Sequence, residues 1–328
     1  LQVLWHPFLW DKIMTKNIIW IASFPKSGNT WMRFFLNSLM HKRDEITSLD
    51  TDARISGACT AKGIFKEFFP EGMSGPKDTF KNRPTAISKF ASSREGKKVL
   101  MKTHSAYAAF EGVPQIPKDN TLGAILVLRN PFDTLVSCMN HFGFDEEGAF
   151  NFLDKISSSI NETDKHYAVL CASWDGFAQS WMKNATSFPL HVVRYEDMKS
   201  KPITEAMRLN KMFNLNAGEN EIVDAISATR FNKLKQLEVG DGFKEASEKA
   251  SAAGGGFFNR GEVGYFKEIL TDDMIKKVND RFGEAMQSYG YALSDDNDLV
   301  VKDVRFVKKS VADQMKKPAN KEVSKKAS

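Results

Sequence analysis

The residues with the clearest chemical potential lie in the segment Ser23–Trp31, which reads Ser-Phe-Pro-Lys-Ser-Gly-Asn-Thr-Trp. It follows an apolar run and precedes apolar residues at helical spacing, so we expect a strand-to-helix loop. Such a loop aims backbone N–H groups at one point, and the start of the helix adds positive potential. Lys26 supplies a mobile cation and Thr30 a hydroxyl donor. The segment predicts a phosphate site, although Lys precedes Gly, unlike in a Walker A loop. An ordinary structural turn is the alternative.

A second segment, Arg129–Ser137, places a guanidinium at the end of another predicted strand. Ligands bind at the carboxyl ends of strands in open α/β sheets. Pro131 suits the first turn of a helix, and Ser137 falls about two turns into that helix. Arg129 and Ser137 could therefore hold a second phosphate. Taken alone, the segment fits a structural ion pair equally well.

The third segment is Lys102-Thr103-His104, at the end of a further predicted strand. Histidine is the side chain best suited to accept a proton near neutral pH, so His104 is a candidate general base. A lone histidine is more often structural, and that interpretation stays open for His104. The other five histidines lack a comparable setting, and a structural role is predicted for them: His6, His41, His141, His166 and His191.

The pattern of apolar residues predicts the elements that carry these segments. Buried strands are expected at Asn17–Phe24, Lys98–His104, Leu122–Arg129 and Leu190–Tyr195. Helices are expected near Pro131–His141, His166–Lys183, Pro202–Phe213 and Thr271–Gly290. Thr271 is a suitable N-cap for the last of these helices. The alternation predicts a single α/β domain with a central, mainly parallel sheet and helices on both faces, a P-loop-like nucleotide-binding fold.

Two regions depart from this alternation. Asp52–Glu95 is rich in loop-forming residues yet contains five phenylalanines, which are predicted either to cap an acceptor or to fill the core: Phe65, Phe68, Phe69, Phe80 and Phe90. Glu245–Gly256 is a low-complexity stretch that we expect to be mobile. Gly254–Gly261 is predicted to close over a bound ligand.

Composition limits the classes of partner. The net charge is +5, but from Val301 to Ser328 Lys and Arg outnumber Asp and Glu nine to three, so the rest of the chain is near neutral. No specific nucleic-acid partner is therefore predicted for the fold. The basic tail is interpreted as a solvated end, with nucleic-acid or membrane contact as its alternative. No apolar run is long enough to span a bilayer.

Three scattered cysteines, Cys59, Cys138 and Cys171, predict neither a disulfide framework nor a zinc site, and they fit a reducing, cytoplasmic setting. No carboxylate cluster suggests another metal. We expect an N-terminal extension at residues 1–13, a domain at 14–295 and a basic, flexible tail at 296–328.

Five motifs occur in an order and spacing that resemble the cytosolic-type sulfotransferases, enzymes that use 3′-phosphoadenosine 5′-phosphosulfate (PAPS). They span the chain from about Asn17 to Tyr291 and read PKSGNTW, KTH, RNPFDTLVS, RYEDMKSKP and FFNRGEVGYF. The resemblance implies transfer of a sulfuryl group from PAPS to the hydroxyl or amine of a small-molecule acceptor. It implies in-line displacement with a histidine base, release of 3′,5′-adenosine bisphosphate (PAP), and no metal.

The resemblance also implies site residues. His104 corresponds to the catalytic base, Lys102 to its accompanying cation and Lys26 to the cation on the transferring group. The remaining residues correspond to cofactor-binding positions: Ser27, Gly28, Asn29 and Thr30 at the 5′-phosphosulfate, Trp31 and Tyr195 near the adenine, Arg129 and Ser137 at the 3′-phosphate, Thr229 at the nucleotide, and Arg260 and Gly261 in the family's C-terminal Arg-Lys-Gly segment.

Several positions depart from the family pattern. Asn29 replaces the commoner Thr, and its amide could still contact a phosphate. Asn259 stands where the family usually has Arg, which predicts a weaker hold on the 3′-phosphate. Lys267 and Thr271 fit the family's dimer motif but Asp272 and Lys276 do not, so a dimer of that kind is not expected. A P-loop kinase and a non-catalytic nucleotide-sensing or nucleic-acid-binding protein remain the alternative classes.

Overall fold

The structure is a computed structural model that describes residues 16–54, 57–155, 158–160, 162–247 and 256–304. The predicted extension at residues 1–13 lies outside the described residues. So do most of the predicted tail and residues 248–255 of the low-complexity stretch.

The strands are β1 Ile18–Ser23, β2 Gly57–Ala58, β3 Val99–Thr103, β4 Ala109–Phe110, β5 Val113–Pro114, β6 Thr121–Leu128, β7 Ser158–Ile160, β8 Val169–Cys171, β9 Leu190–Arg194, β10 Tyr291–Leu293 and β11 Leu299–Val301. The helices are α1 Asn29–His41, α2 Leu49–Arg54, α3 Lys62–Phe68, α4 Pro76–Ser92, α5 Pro131–Phe142, α6 Glu146–Asp154, α7 Trp174–Asn184, α8 Tyr195–Ser200, α9 Pro202–Phe213, α10 Glu219–Ala228, α11 Phe231–Asp241 and α12 Asp272–Ser288, with a 3-10 turn at Tyr265–Glu268.

Within the described ranges, the central sheet has five parallel strands in the order β2-β3-β1-β6-β9. In β1, Ala22 pairs with Thr103 of β3 and with Leu126 of β6, so these strands end at the same edge. The four predicted strands are present with ends shifted by about a residue. Tyr195, predicted to end a strand, begins helix α8 instead.

Helices cover both faces of this sheet, as predicted. Alternate residues of a strand point to opposite faces. Ile18, Trp20 and Ala22 of β1 belong to one buried cluster, which includes side chains of α5, α7 and α12. Ile19 and Ile21 belong to a second cluster, with side chains of α1, α9 and α10. The continuous apolar run of β1 follows from this burial on both sides.

The prediction of a loop-rich segment at Asp52–Glu95 is wrong, because α4 runs for 17 residues and contains Pro84. Its phenylalanines are core residues: Phe65, Phe80 and Phe90 are buried, and Phe68 and Phe69 pack against the main cluster. The predicted helix His166–Lys183 is wrong in its first half. That part contains β8, and the helix begins only after Ser173, whose hydroxyl accepts the N–H of Gly176.

The last helix, α12, is confirmed together with its cap, because the Thr271 hydroxyl accepts the N–H of Met274 at 3.3 Å. After it, β10 and β11 form an antiparallel hairpin. Arg194 at the end of β9 donates to the Lys302 carbonyl at 2.7 Å and so fixes this hairpin to the sheet. The boundary predicted after residue 295 therefore falls inside the hairpin.

Candidate active site

The loop between β1 and α1 turns through two residues with left-handed backbone, Lys26 at φ +64° and Gly28 at φ +102°. A Cβ at Gly28 would lie 2.8 Å from the Tyr195 ring, so a larger residue would clash there. Gly28 precedes α1 and provides no side-chain cap for it. The first N–H groups of α1 remain available to an anion, at the positive end of the helix dipole.

Two residues of this loop, Ser27 and Asn29, have buried side chains. The Asn29 amide donates to the Ile21 carbonyl at 2.9 Å and to the Ser23 hydroxyl at 3.2 Å, so its side chain fixes the loop to β1. The amide of Asn29 is thus engaged inside the protein, and its backbone N–H is the group left for a phosphate.

Two cationic side chains, Lys26 and Arg129, lie just after the ends of β1 and β6. Lys26 Nζ lies 3.9 Å from the centroid of the Phe257 ring. Burial, together with Lys102 and Arg129, lowers the pKa of Lys26 to about 8. Arg129 donates to the Lys26 carbonyl at 3.3 Å, and its guanidinium lies 4.5 Å from the Tyr195 ring centroid. Arg129 therefore braces the Lys26 turn.

His104 follows β3 directly, and its Nδ1 lies 2.8 Å from the Ser23 carbonyl oxygen. A carbonyl can only accept, so Nδ1 carries the proton of the neutral ring and Nε2 has a free lone pair. Burial, with Lys102 nearby, lowers the pKa of His104 to about 3. At neutral pH the imidazole is uncharged and Nε2 can accept a proton.

A partly buried ion cluster beside the loop contains two residues that sequence reasoning did not select: Arg33, which is buried, and Glu245, whose side chain is 29% exposed. Arg33 Nη2 lies 2.7 Å from each carboxylate oxygen of Glu245. Thr30 Oγ1 donates to the same carboxylate at 3.2 Å, and Lys102 Nζ approaches it at 3.4 Å. Arg33 on α1 belongs to none of the five motifs, and Glu245 lies at the edge of the low-complexity stretch, so neither residue stood out in the sequence.

An aromatic pair lines the opposite side of the cavity. Trp31 and Tyr195 meet edge to face, with ring centroids 5.3 Å apart. Trp31 Nε1 donates to the Thr229 carbonyl at 2.8 Å, and the Tyr195 hydroxyl donates to the Gly261 carbonyl at 2.9 Å. Thr229 thus positions Trp31.

These side chains surround one cavity of about 470 Å³. Of the predicted site residues, those on its lining are Lys26, Gly28, Asn29, Thr30, Trp31, Lys102, His104, Arg129, Ser137, Tyr195, Arg260 and Gly261. Ser27 and Thr229, although described by the structure, are not on that lining. Its apolar part is formed by Phe142, Tyr167, Val169, Phe257 and Phe258. The five phenylalanines of residues 52–95 do not reach it, so the predicted apolar cap is wrong for them.

In the described parts of the chain, no group of three or more His, Cys, Asp or Glu residues could hold a metal ion. Over the same residues, no helix combines the length and the apolar character that crossing a bilayer requires.

Asn130 fixes the junction of β6 and α5 and so the position of Arg129. It is fully buried, donates to Glu196 and Asp133 at 2.8 Å each, and accepts the N–H of Asp133. We expect Asn130→Ala to lower the free energy of unfolding by about 3 kcal/mol, because two buried carboxylates lose a donor and α5 loses its cap.

Urea unfolding checks this prediction. Asn279→Ala on the exposed face of α12 is the matched control, with an expected loss below about 0.5 kcal/mol. Equal midpoints for the two variants would contradict the role given to Asn130.

The chain is similar to known proteins over most of its length. The sulfotransferase domain family matches residues 16–290. Cytosolic sulfotransferase 5 of Arabidopsis thaliana is 25% identical over 285 residues, with 82% of this chain and 80% of that protein covered. Flavonol 3-sulfotransferase of Flaveria bidentis is 22% identical, with 84% of each covered.

Among solved structures, a mouse sulfotransferase complexed with PAP superposes with a TM-score of 0.51 and 18% identity. That match covers 83% of this chain and 84% of the mouse chain. It shows a shared fold. Because the family match spans most of the chain, the protein belongs to the sulfotransferase domain family.

Proposed function

We propose that the protein transfers the sulfuryl group of PAPS to a hydroxyl or amine of a small-molecule acceptor and releases PAP. One observation carries this proposal: the Lys26 turn, Arg129 and His104 line the same cavity at the carboxyl edge of the sheet. The resemblance assigns these three groups to one bound nucleotide, so their position on a single cavity supports the proposal.

The cavity suits a nucleotide with phosphate at both ends of its ribose. The loop N–H groups, Thr30 and Lys26 would hold the 5′-phosphosulfate. Arg129 and Ser137 would hold the 3′-phosphate, joined by the Arg260–Gly261 segment. Trp31 and Tyr195 would contact the adenine. The Glu245 carboxylate, bound by Thr30, Lys102 and Arg33, supports the view that this corner stabilises an anion.

The reaction is a displacement at sulfur. His104 Nε2 takes the acceptor proton while the acceptor oxygen or nitrogen forms its bond to sulfur. The bond from sulfur to the bridging oxygen breaks, and that oxygen keeps the electron pair as part of the 5′-phosphate of PAP. Lys26 and Lys102 stabilise the charge that develops on this oxygen and on the sulfuryl oxygens. By analogy with phosphoryl transfer, positioning and electrostatics supply most of the rate.

The low pKa of His104 fits this role once the nucleotide is present. The free protein surrounds the imidazole with cations, which disfavour a second positive charge. A nucleotide with several negative charges would offset Lys102 and raise the pKa of His104. The Ser23 carbonyl, which accepts from Nδ1, would then stabilise the imidazolium as it forms.

For the acceptor, the lining of the cavity includes apolar side chains, among them Phe142, Tyr167 and Val169. Such a lining favours a small, largely apolar molecule with one nucleophilic group. The name of one relative, the flavonol 3-sulfotransferase of Flaveria bidentis, gives a small-molecule acceptor for that protein. We extend the small-molecule class, and no particular acceptor, to this chain.

Radiolabelled PAPS tests the proposal when it is incubated with a panel of phenols, aliphatic alcohols and amines. We expect label on at least one acceptor, with stoichiometric PAP and no requirement for added metal. ATP with Mg²⁺ in place of PAPS distinguishes a kinase. Binding of PAP without transfer to any acceptor would favour the non-catalytic alternative, and phosphorylation from ATP would overturn the assignment.

Nucleotide affinity should fall as pH rises through about 8, because that is where the Lys26 ammonium loses its charge. The phosphates of PAP are already ionised above pH 7, so they contribute no titration there. Bound phosphate favours protonated Lys26, and the Kd should rise by up to about tenfold per pH unit above 8.

Calorimetric titration with PAP between pH 7 and 9.5 checks this prediction. Lys26→Arg keeps its charge over the whole range and should show a nearly constant Kd. The same rise in both proteins would assign the titration to another group.

A further inference from the structure

The Glu245 carboxylate is bound as a ligand anion would be. Three donors converge on its Oε2 atom: Arg33 Nη2 at 2.7 Å, Thr30 Oγ1 at 3.2 Å and Lys102 Nζ at 3.4 Å. They come from α1 and from the end of β3, the two elements that frame the phosphate loop. The other oxygen, Oε1, is held by Arg33 alone among these donors, also at 2.7 Å.

The carboxylate is charged in this position. Burial alone would raise the pKa of Glu245, but Lys102 and Arg33 outweigh it and hold the pKa well below its usual range. The Arg33 side chain is only 4% exposed. The Glu245 side chain is 29% exposed, so the pair is partly desolvated and interacts more strongly than a fully exposed surface pair does.

The three donors differ in the side of Glu245 that they face. Thr30 and Lys102 line the cavity assigned to the nucleotide. Arg33 lines a neighbouring groove of about 930 Å³, and Glu245 lies on the lining of both. Because Arg33 contacts both carboxylate oxygens, the ion pair with Arg33 can persist when Oε2 gives up Thr30 and Lys102.

The backbone around Glu245 is fixed on the groove side. Lys244 Nζ pairs with Asp50 Oδ2 at 3.0 Å, and the Lys244 N–H donates to Asp50 Oδ1 at 2.9 Å. Phe243 is buried against Phe34 and Phe258. These contacts favour rotation of the Glu245 side chain over displacement of the segment.

We propose that Glu245 is an internal competitor for the phosphosulfate site: it occupies Thr30 and Lys102 in the free protein and yields them to the nucleotide while it keeps Arg33. The inference rests on the proposed function, because it takes the 5′ end of the nucleotide to bind Thr30 and Lys102. Two anions cannot share these donors without strong repulsion. Arg33 is thereby a positioning residue, which receives the displaced carboxylate.

Glu245→Gln tests the competition with two ligands, PAP and adenosine 3′-phosphate, which lacks the 5′-phosphate. We expect the Kd for PAP to fall about tenfold in the variant, within the range usual for coupled binding. The Kd for adenosine 3′-phosphate should stay unchanged, because that ligand does not reach the contested donors. Glu147→Gln, which removes the same charge from a surface pair with Lys277, is the control and should alter neither Kd.

Arg33→Gln tests the second part. In the otherwise natural chain it should weaken PAP binding several-fold, because the displaced carboxylate loses its remaining partner. In the Glu245→Gln background the same substitution should cost much less, because only the hydrogen bond from Arg33 Nη2 to Thr30 Oγ1, 3.0 Å long, is then lost. Thermal unfolding of each variant verifies that it is folded.

The outcomes of these experiments distinguish a failure of the Glu245 competition from a failure of the proposed function. An unchanged or weaker affinity of Glu245→Gln for PAP would overturn the competition, and so would an equal gain for both ligands. An equal cost of Arg33→Gln with and without Glu245 would show that Arg33 acts on the nucleotide site directly or through Thr30, and would contradict its role as partner of the displaced carboxylate. If the natural chain neither binds PAP nor transfers sulfate, the proposed function is contradicted, and so is the inference that rests on it.

Discussion

His104→Ala is expected to lower kcat for sulfuryl transfer by about 10²- to 10⁴-fold, the usual contribution of a positioned general base. PAP should still bind, because the loop, Arg129 and Ser137 are untouched. His104 is the neutral imidazole whose Nδ1 is fixed by the Ser23 carbonyl, so its loss removes the group that accepts the acceptor proton. Steady-state transfer from PAPS, with calorimetric PAP binding in parallel, measures both effects.

Two variants make the result interpretable. His104→Gln keeps a side-chain donor for the Ser23 carbonyl but has no basic nitrogen, so it should be as inactive as the alanine variant. His41→Ala, an exposed histidine at the end of α1, should keep the natural rate. A near-normal rate for His104→Ala would remove the imidazole from the mechanism.

Lys26→Ala is expected to lower kcat by about 10²-fold or more, comparable to the loss of one oxyanion donor. The ammonium acts on charge that grows on the bridging oxygen as the bond to sulfur breaks, so its contribution is larger in the transition state than in the bound ground state. Single-turnover kinetics at saturating PAPS isolates this step from nucleotide affinity.

The backbone at Lys26 is left-handed, at φ +64°, so a change of residue there could also alter the turn. Lys26→Met, which keeps the length and apolar stem of the side chain without its charge, is the matched variant. It should lose rate as the alanine variant does, whereas Lys26→Arg should recover part of it. A rise in Kd with an unchanged rate of transfer would contradict the role on the bridging oxygen.

Much of the fold could be predicted because its signals are local. A strand buried on both faces is expected to be largely apolar, and β1 and β6 are apolar apart from Ser23 and Thr121 at their ends. A helix that starts at a cap shows the cap in its sequence, as Thr271 does for α12. Since the carboxyl ends of parallel strands meet at one edge, Arg129 and His104 could be placed together without knowledge of the strand order.

The features that sequence analysis missed depend on contacts between segments that lie far apart along the chain. Glu245 lies 215 positions from Thr30, and no spacing rule connects the two. Phenylalanines carry the same apolar signal in a core and in a cavity wall, so Phe65 and Phe80 could not be assigned in advance. Pro84 stands inside α4 although proline usually interrupts a helix; Ile87 and Ala91 of that helix belong to the buried cluster that includes side chains of β1 and β3.

The roles of Ser27, Asn29 and Thr229 show a further limit. Each was selected because its position corresponds to a nucleotide contact in the family. A motif fixes the place of a residue along the chain, but hydrogen bonds decide where its side chain points. The Asn29 amide bonds to β1, and the Thr229 hydroxyl donates to the Ala225 carbonyl.

The structure of the complex with PAP tests the central claim most directly. We predict the 5′-phosphate against the loop from Lys26 to Thr30 and the 3′-phosphate against Arg129 and Ser137. The 5′ end should face His104 Nε2, with Glu245 turned away from Lys102. A nucleotide bound with its phosphates exchanged, or in a cavity that His104 does not line, would contradict the account.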